Sequence, residues 1–263
     1  MTTVRKRSTI PVPEVYAYEP THDNVVGVPF ILMEFIPGNT AMDSFGGTRY
    51  IGETPPQFKL KFHAAMADIQ VQMSAIRFPK IGAMTKAPDG TYTATFPYRD
   101  ELIRERTPLQ VVDEVLKFKG LAKHFHFREG PFPLFHTDFC TSNMIIDPQH
   151  NVLSVIDWED AYVAPWEMVE FTKELSIVPP AMDGPMYREN EQTRQRALER
   201  SQYIKLAREA EVARGLDNRL SMTLEDSSGQ DFAHALWLYL HGRIGFYGAV
   251  LDQLMHKCLC ARK

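Results

Sequence analysis

Cysteine is scarce in this chain: three among 263 residues, Cys140, Cys258 and Cys260. Their odd number and lack of framework spacing exclude a disulfide scaffold and suit a reduced, cytoplasmic protein. Long apolar runs are missing too. No stretch reaches the roughly 20 residues that a membrane helix needs, and the N-terminus has no signal-peptide core. Nor is there an excess of positive charge. The net charge is -4 and the pI about 6.1, so nucleic acid is not an expected partner. The short run Arg5-Lys6-Arg7 reads as a solvated terminus. Neither Gly-x-Ser-x-Gly nor His-Glu-x-x-His occurs, which removes the common hydrolase signatures. His124 and His126 have no third ligand at zinc spacing. Repeats, low-complexity segments and interdomain linkers are also absent.

What is there belongs to an ordinary globular chain, 44% hydrophobic and 24% charged. Residues 12–18 and 28–36 read as strands joined by the polar link 19–24. The second run is almost wholly apolar, which predicts a strand covered on both faces. Pro37-Gly38-Asn39 ends it. Thr54-Pro55-Pro56-Gln57 has capping-box spacing with proline at the first helical position. Behind it Phe58, Phe62, Met66, Ile69, Met73 and Ile76 recur at helical intervals and predict one buried face. Thr107-Pro108-Leu109-Gln110 repeats this start signal ahead of Val112, Val115, Leu116 and Leu121. Residues 187–214 and 230–259 read as amphipathic helices separated by a loop over 216–229. Gly242, Gly245 and Gly248, every third residue, fit close helix packing.

Around residue 131 the period changes. Two short apolar runs, 144–146 and 152–156, flank Asp147-Pro148-Gln149-His150-Asn151 and predict a β-hairpin. Asp138 follows a strand end, Asn143 comes five residues later, and Asp157 closes the second hairpin strand. The fold-back returns Asp157 to the loop 138–143, gathering two carboxylates and a carboxamide at one end of a rigid element. Phosphoryl transfer needs this set. Mg²⁺ takes hard oxygen ligands, one or two of them from protein, and a further carboxylate must orient the acceptor hydroxyl and accept its proton. Taken singly, Asp138 and Asp157 would be a turn residue and a helix cap. A metal-dependent hydrolase on His136 and Asp138 is the weaker competing chemistry, since no second histidine fits. Trp158 and Trp166 read as packing anchors. The acidic group Glu159, Asp160, Glu167 and Glu170 suits a cationic substrate and equally a solvated helix face.

These residues resemble the aminoglycoside phosphotransferase and choline kinase group, within the protein-kinase-like fold. His136-Thr137-Asp138-Phe139-Cys140-Thr141-Ser142-Asn143 is similar to its catalytic loop, and Ile156-Asp157-Trp158-Glu159 to its metal-binding segment. Ile31-Leu32-Met33-Glu34-Phe35-Ile36-Pro37-Gly38 resembles its hinge. The runs 10–13 and 68–72 have the look of fungal members. The resemblance implies a two-lobed α+β fold with a reduced N-terminal sheet and a mainly helical C-terminal lobe. The remnant N-terminal lobe with hinge would be 1–38, and the catalytic lobe 39–263. It also implies an ATP- and Mg²⁺-dependent kinase acting on a hydroxyl of a small molecule. Asp138 would be the catalytic base and Asn143 and Asp157 the magnesium ligands. Met33, Glu34, Phe35 and Ile36 would bind the nucleotide base, Glu34 chiefly through its backbone. His136 would support the loop by hydrogen bonds, and Cys140 is given no role.

The chain departs from the group ahead of the hinge run. The glycine-rich covering loop, the strand lysine and the helical glutamate are all missing there, which removes charge stabilisation on the phosphates and admits water. Two readings follow: a truncated form of a larger enzyme, or a natural degenerate member. The alternative function is a pseudokinase acting as a binding or regulatory module. Acceptor and protein partners are not legible.

Overall fold

The computed structural model describes residues 1–47, 54–86, 92–95, 130–177, 190–240 and 248–260. The helix expected behind Thr107 lies outside them, as do His124, His126, Gly242 and Gly245. Helix α1 (Thr2–Arg7) buries Val4. The extended segment after it runs beside a later strand, where Val155 N–H donates to the Pro11 carbonyl at 2.8 Å.

Strands β1 (Val15–Glu19) and β2 (Phe30–Met33) pair antiparallel as a two-stranded ribbon. The apolar run predicts coverage on both faces, yet Ile31 is 54% and Leu32 55% exposed. The reason is architectural: among the described residues no third strand joins the ribbon. Its exit is tightly seated. A Cβ on Gly38 would stand 2.7 Å from the Ile146 carbonyl oxygen and 2.7 Å from Ile145 Cγ2. Only glycine allows that approach. Strand β3 (Asn39–Thr40) then joins the later hairpin. Helix α2 (Ala41–Ser44) is capped by the Thr40 hydroxyl, which accepts from Asp43 N–H at 3.0 Å.

Helix α3 (Pro56–Ala75) starts one residue later than its capping box suggests. Pro55 is the N-cap and has no side-chain acceptor to offer, so the Thr54 hydroxyl is buried without a hydrogen bond. Pro56 fills the first helical position, one place beyond the Pro55 that the box implies, and a proline is accommodated there because its missing N–H has no partner to lose. The face Phe62, Met66, Ile69, Met73 is buried, with Ile76 continuing it at the C-cap.

Three short strands follow in sequence, β4 (Arg77–Phe78), β5 (Gly82–Lys86) and β6 (Tyr92–Thr95). They combine with β7 (Phe132–Phe135) and β10 (Tyr162–Val163) in the order β4-β7-β10-β5-β6. The predicted hairpin is β8 (Met144–Ile146) with β9 (Val152–Val155), joined by β3 in the order β3-β8-β9. Asp147 shapes its turn, Oδ1 accepting from the N–H groups of Gln149 and Asn151.

Helix α4 (Glu191–Ala213) packs along α3. A buried chain of hydrogen bonds crosses this interface: Tyr203 O–H to Gln70 Oε1, and Gln70 Nε2–H to the Glu170 carbonyl, each 2.8 Å. The stretch expected to be a loop over 216–229 contains α5 (Arg219–Glu225). Its first turn is stabilised from outside, because the buried Glu211 carboxylate of α4 accepts from Leu220 and Ser221 N–H at 2.8 and 3.1 Å. Helices α6 (Ser227–Leu240) and α7 (Gly248–Cys260) stand where one amphipathic stretch was expected. The whole is mixed α+β, small sheets preceding a mostly helical C-terminal region. Among the described residues, no helix is long and apolar enough to cross a membrane.

One half-buried base on α6, His234, makes stability depend on pH. Burial, with Lys173 and Arg200 nearby, pushes His234 down to about 4 from an ordinary 6.5. The fold therefore holds this ring neutral. Below pH 6.5 the unfolded chain takes up a proton that the fold refuses, so stability falls from there towards pH 4 and is level above neutrality. At about 1.4 kcal/mol per pH unit, this ring costs about 2 kcal/mol by pH 5. His234→Gln should flatten that share of a Tm-against-pH curve. An unchanged slope would refute the assignment.

Candidate active site

The loop between β7 and β8 carries Asp138 and Asn143, and its conformation is built from side-chain bonds. Asn143 Nδ2 donates both hydrogens, to the Asp138 carbonyl and to Asp138 Oδ2, each at 2.9 Å. With both hydrogens committed, the amide oxygen is the group left for a cation. Behind them Thr141–Asn143 forms a short 3₁₀ turn.

His136 stitches this loop to the segment after β9. Its ring is 1% exposed, Nδ1 accepting from Asp138 N–H at 3.2 Å and Nε2 lying 3.0 Å from the Ile156 carbonyl. That pairing fixes the neutral tautomer with its proton on Nε2. Burial drives the ring below its usual range, against the upward pull of Ile156, Asp138 and Asp157. The reverse strand is tied as well, Ile156 N–H donating to the Asn143 carbonyl at 3.0 Å. Asp157 thus follows directly on a residue bonded to both His136 and Asn143.

Asp157 is exposed and has φ +64°, the left-handed region that non-glycine residues seldom adopt. Such backbone persists where its surroundings impose it. Here Trp158 is the anchor: it is buried, its Nε1–H donates to the Val155 carbonyl at 2.8 Å, and it meets His136 edge-on at 4.7 Å. The Glu159 carboxyl is raised above its usual range, first by the Asp157 charge. Two like charges crowded at the surface favour a cation between them. Among the described residues no cluster of three or more His, Cys, Asp or Glu forms a metal cage. An amide oxygen and a carboxylate suit Mg²⁺, which fills its remaining positions with water and phosphate.

The hinge residues are placed less simply. Glu34 N–H donates to the Glu14 carbonyl at 2.8 Å, and Glu34 Oε2 accepts from Glu14 N–H at 3.0 Å. Its amide hydrogen is therefore unavailable to a base, and its side chain is engaged where a backbone role was expected. Met33 is paired with Val15 at the strand end, leaving Phe35 and Ile36 beyond the ribbon. The Cys140 thiol is pushed up to about 11 by burial, so it stands protonated at neutral pH.

Residues the sequence reading passed over also shape the site. Glu174 Oε1 accepts from Thr141 N–H at 2.6 Å, and Lys173 N–H reaches the Phe139 carbonyl at 3.3 Å. Glu170, expected at a solvated face or a cation-attracting cluster, is 8% exposed and ion-paired with Lys173 at 2.5 Å. No periodicity marks these residues, because Lys173–Leu175 is a single 3₁₀ turn. Next to the loop lies a cavity of about 290 Å³ lined by Phe135, Thr137, Asp160, Tyr162, Met168 and Trp237.

Among solved structures the chain is similar to an aminoglycoside phosphotransferase described as putative, from Ralstonia eutropha JMP134. It shares 17% identity over 95% of this chain and 75% of that one, with a TM-score of 0.46. A thermostable mutant of aminoglycoside phosphotransferase APH(4)-Ia, in apo form, shares 13% identity over 99% of this chain and 82% of that one, with a TM-score of 0.49. A search of curated proteins returned no match. A family model described as "Phosphotransferase enzyme family" matches residues 2–168, more than half of the chain and inclusive of the loop, hairpin and Asp157 segment. The chain belongs to the phosphotransferase enzyme family.

Proposed function

We propose that this protein is an ATP- and Mg²⁺-dependent kinase that phosphorylates a hydroxyl of a small molecule. The observation that carries the reading is the double hydrogen bond from Asn143 Nδ2 to Asp138. It holds a carboxylate and an amide oxygen side by side in a loop that His136 fastens to the Asp157 segment.

In this reading Asn143 Oδ1 and the Asp157 carboxylate hold magnesium. Bound there, the metal supplies charge neutralisation for the transferring phosphoryl group. Asp138 Oδ2 is engaged by Asn143, so Oδ1, whose one contact is the weak Cys140 thiol donor at 3.6 Å, is the oxygen that orients the acceptor hydroxyl and receives its proton. The neutral His136 moves no proton; it keeps the two segments in register. The hinge contributes the backbone of Met33, Phe35 and Ile36 and the carbonyl side of Glu34 to the nucleotide base, with 1–38 as the base-binding part and 39–263 as the catalytic part. The acceptor enters the cavity beside Thr137, whose volume lies near the lower end for ligand sites and whose walls include the rings of Phe135, Tyr162 and Trp237.

Titration with ATP, with and without Mg²⁺, tests the reading at high protein concentration. Binding that needs Mg²⁺ is expected. Its absence would remove the kinase assignment from this chain.

A further inference from the structure

The 3₁₀ turn that sets the distance between Asp138 and Asn143 begins without local help. Its N-cap, Cys140, makes no side-chain capping bond, so the first amide of the turn, Thr141 N–H, needs an acceptor from elsewhere. Glu174 supplies it from 33 positions along the chain, Oε1 accepting at 2.6 Å from a side chain only 3% exposed. Its other oxygen, Oε2, makes no hydrogen bond. Placing a carboxyl in such a site is costly, and packing alone would be served better by leucine.

The neighbouring residue reinforces the contact. Lys173 N–H donates to the Phe139 carbonyl at 3.3 Å, so the two residues grip the loop on both sides of Cys140. The turn is itself anchored. Arg200 of α4 donates from Nε to the Leu175 carbonyl at 2.6 Å, and Lys173 Nζ lies 4.0 Å from the Trp237 ring centroid on the wall of the acceptor cavity.

We propose that Glu174 is a positioning residue for phosphoryl transfer, acting as a remote cap that holds Thr141 and thereby fixes Asp138 relative to Asn143. The bond it makes needs an acceptor oxygen and no charge. Burial raises the carboxyl above its usual range, and a protonated carboxyl still accepts through its carbonyl oxygen. Glutamine is therefore a faithful substitute and leucine is not.

The inference rests on Asp138 being the base, so the test has one arm that reads transfer and one that does not. Glu174→Leu should lower kcat about 10- to 100-fold with KM for Mg-ATP within about threefold, since a small misplacement of the loop costs rate more than affinity. In the same variant the Thr141 amide should exchange with deuterium at least about tenfold faster. Glu174→Gln should stay within about threefold of the parent in both arms. Where Glu174→Leu does not fold, Glu174→Met takes its place. Unchanged Thr141 exchange in the leucine or methionine variant overturns the proposal, as does a glutamine variant as impaired as they are. If the parent transfers no phosphate, the kinase reading fails, while the exchange arm still decides whether Glu174 holds the loop.

Discussion

Asp138→Ala is expected to lower kcat by about 10²- to 10⁴-fold, the range for loss of a positioned acid–base group, with Mg-ATP affinity within about threefold. The physical reason lies in how the carboxylate is shared. Oδ2 is held by Asn143, and Oδ1, which meets only the weak thiol donor of Cys140 at 3.6 Å, is the oxygen that can turn to the hydroxyl. Alanine removes both functions and frees an amide hydrogen of Asn143. Asp138→Asn separates them: its amide oxygen still accepts from Asn143 and holds the loop, but it is too weak a base to take a proton. Both variants should therefore be slow, and only alanine should loosen the loop. A full-rate asparagine variant would remove the base role. The measurement is steady-state kinetics beside a nucleotide titration.

Asp157→Asn should act on the other quantity. Removing this carboxylate is expected to weaken Mg²⁺-dependent nucleotide binding by at least about tenfold, or 1.4 kcal/mol. Asparagine is the proper substitute because Asp157 sits at φ +64°. Asparagine tolerates that backbone, whereas alanine adds a strain of about 1–2 kcal/mol unrelated to the metal. The charge logic gives a second readout. The Glu159 carboxyl is raised first by Asp157, so in this variant it should titrate closer to its usual value. Equal losses of nucleotide binding in the Asp138 and Asp157 variants would contradict the division of labour between them.

Much of this was legible because local chemistry dictated it. The hairpin followed from two apolar runs around Asp147, and the structure builds its turn on that side chain. The α3 stripe followed from helical spacing, and it is buried from Phe62 to Ile76, with Phe58 only partly covered at the helix start. The illegible parts depend on partners distant in sequence. Helix α5 stands in a stretch that reads as loop because its cap is Glu211, on another helix. Glu174 was invisible for the same reason: its partner is Thr141, and nothing in its own neighbourhood signals the bond. The Thr54 box misled because two prolines moved the helix start by one residue. Strand β2 misled because an apolar run records what a strand prefers, not whether a covering layer is present.

That uncovered ribbon governs handling of the material. Tyr16, Tyr18, Ile31 and Leu32 meet solvent on a pair of strands that no further strand joins among the described residues, so the ribbon's outer edges are open to pairing. Such a surface is a template for another chain, so concentrated samples should self-associate through it, driven by the solvent's avoidance of greasy side chains.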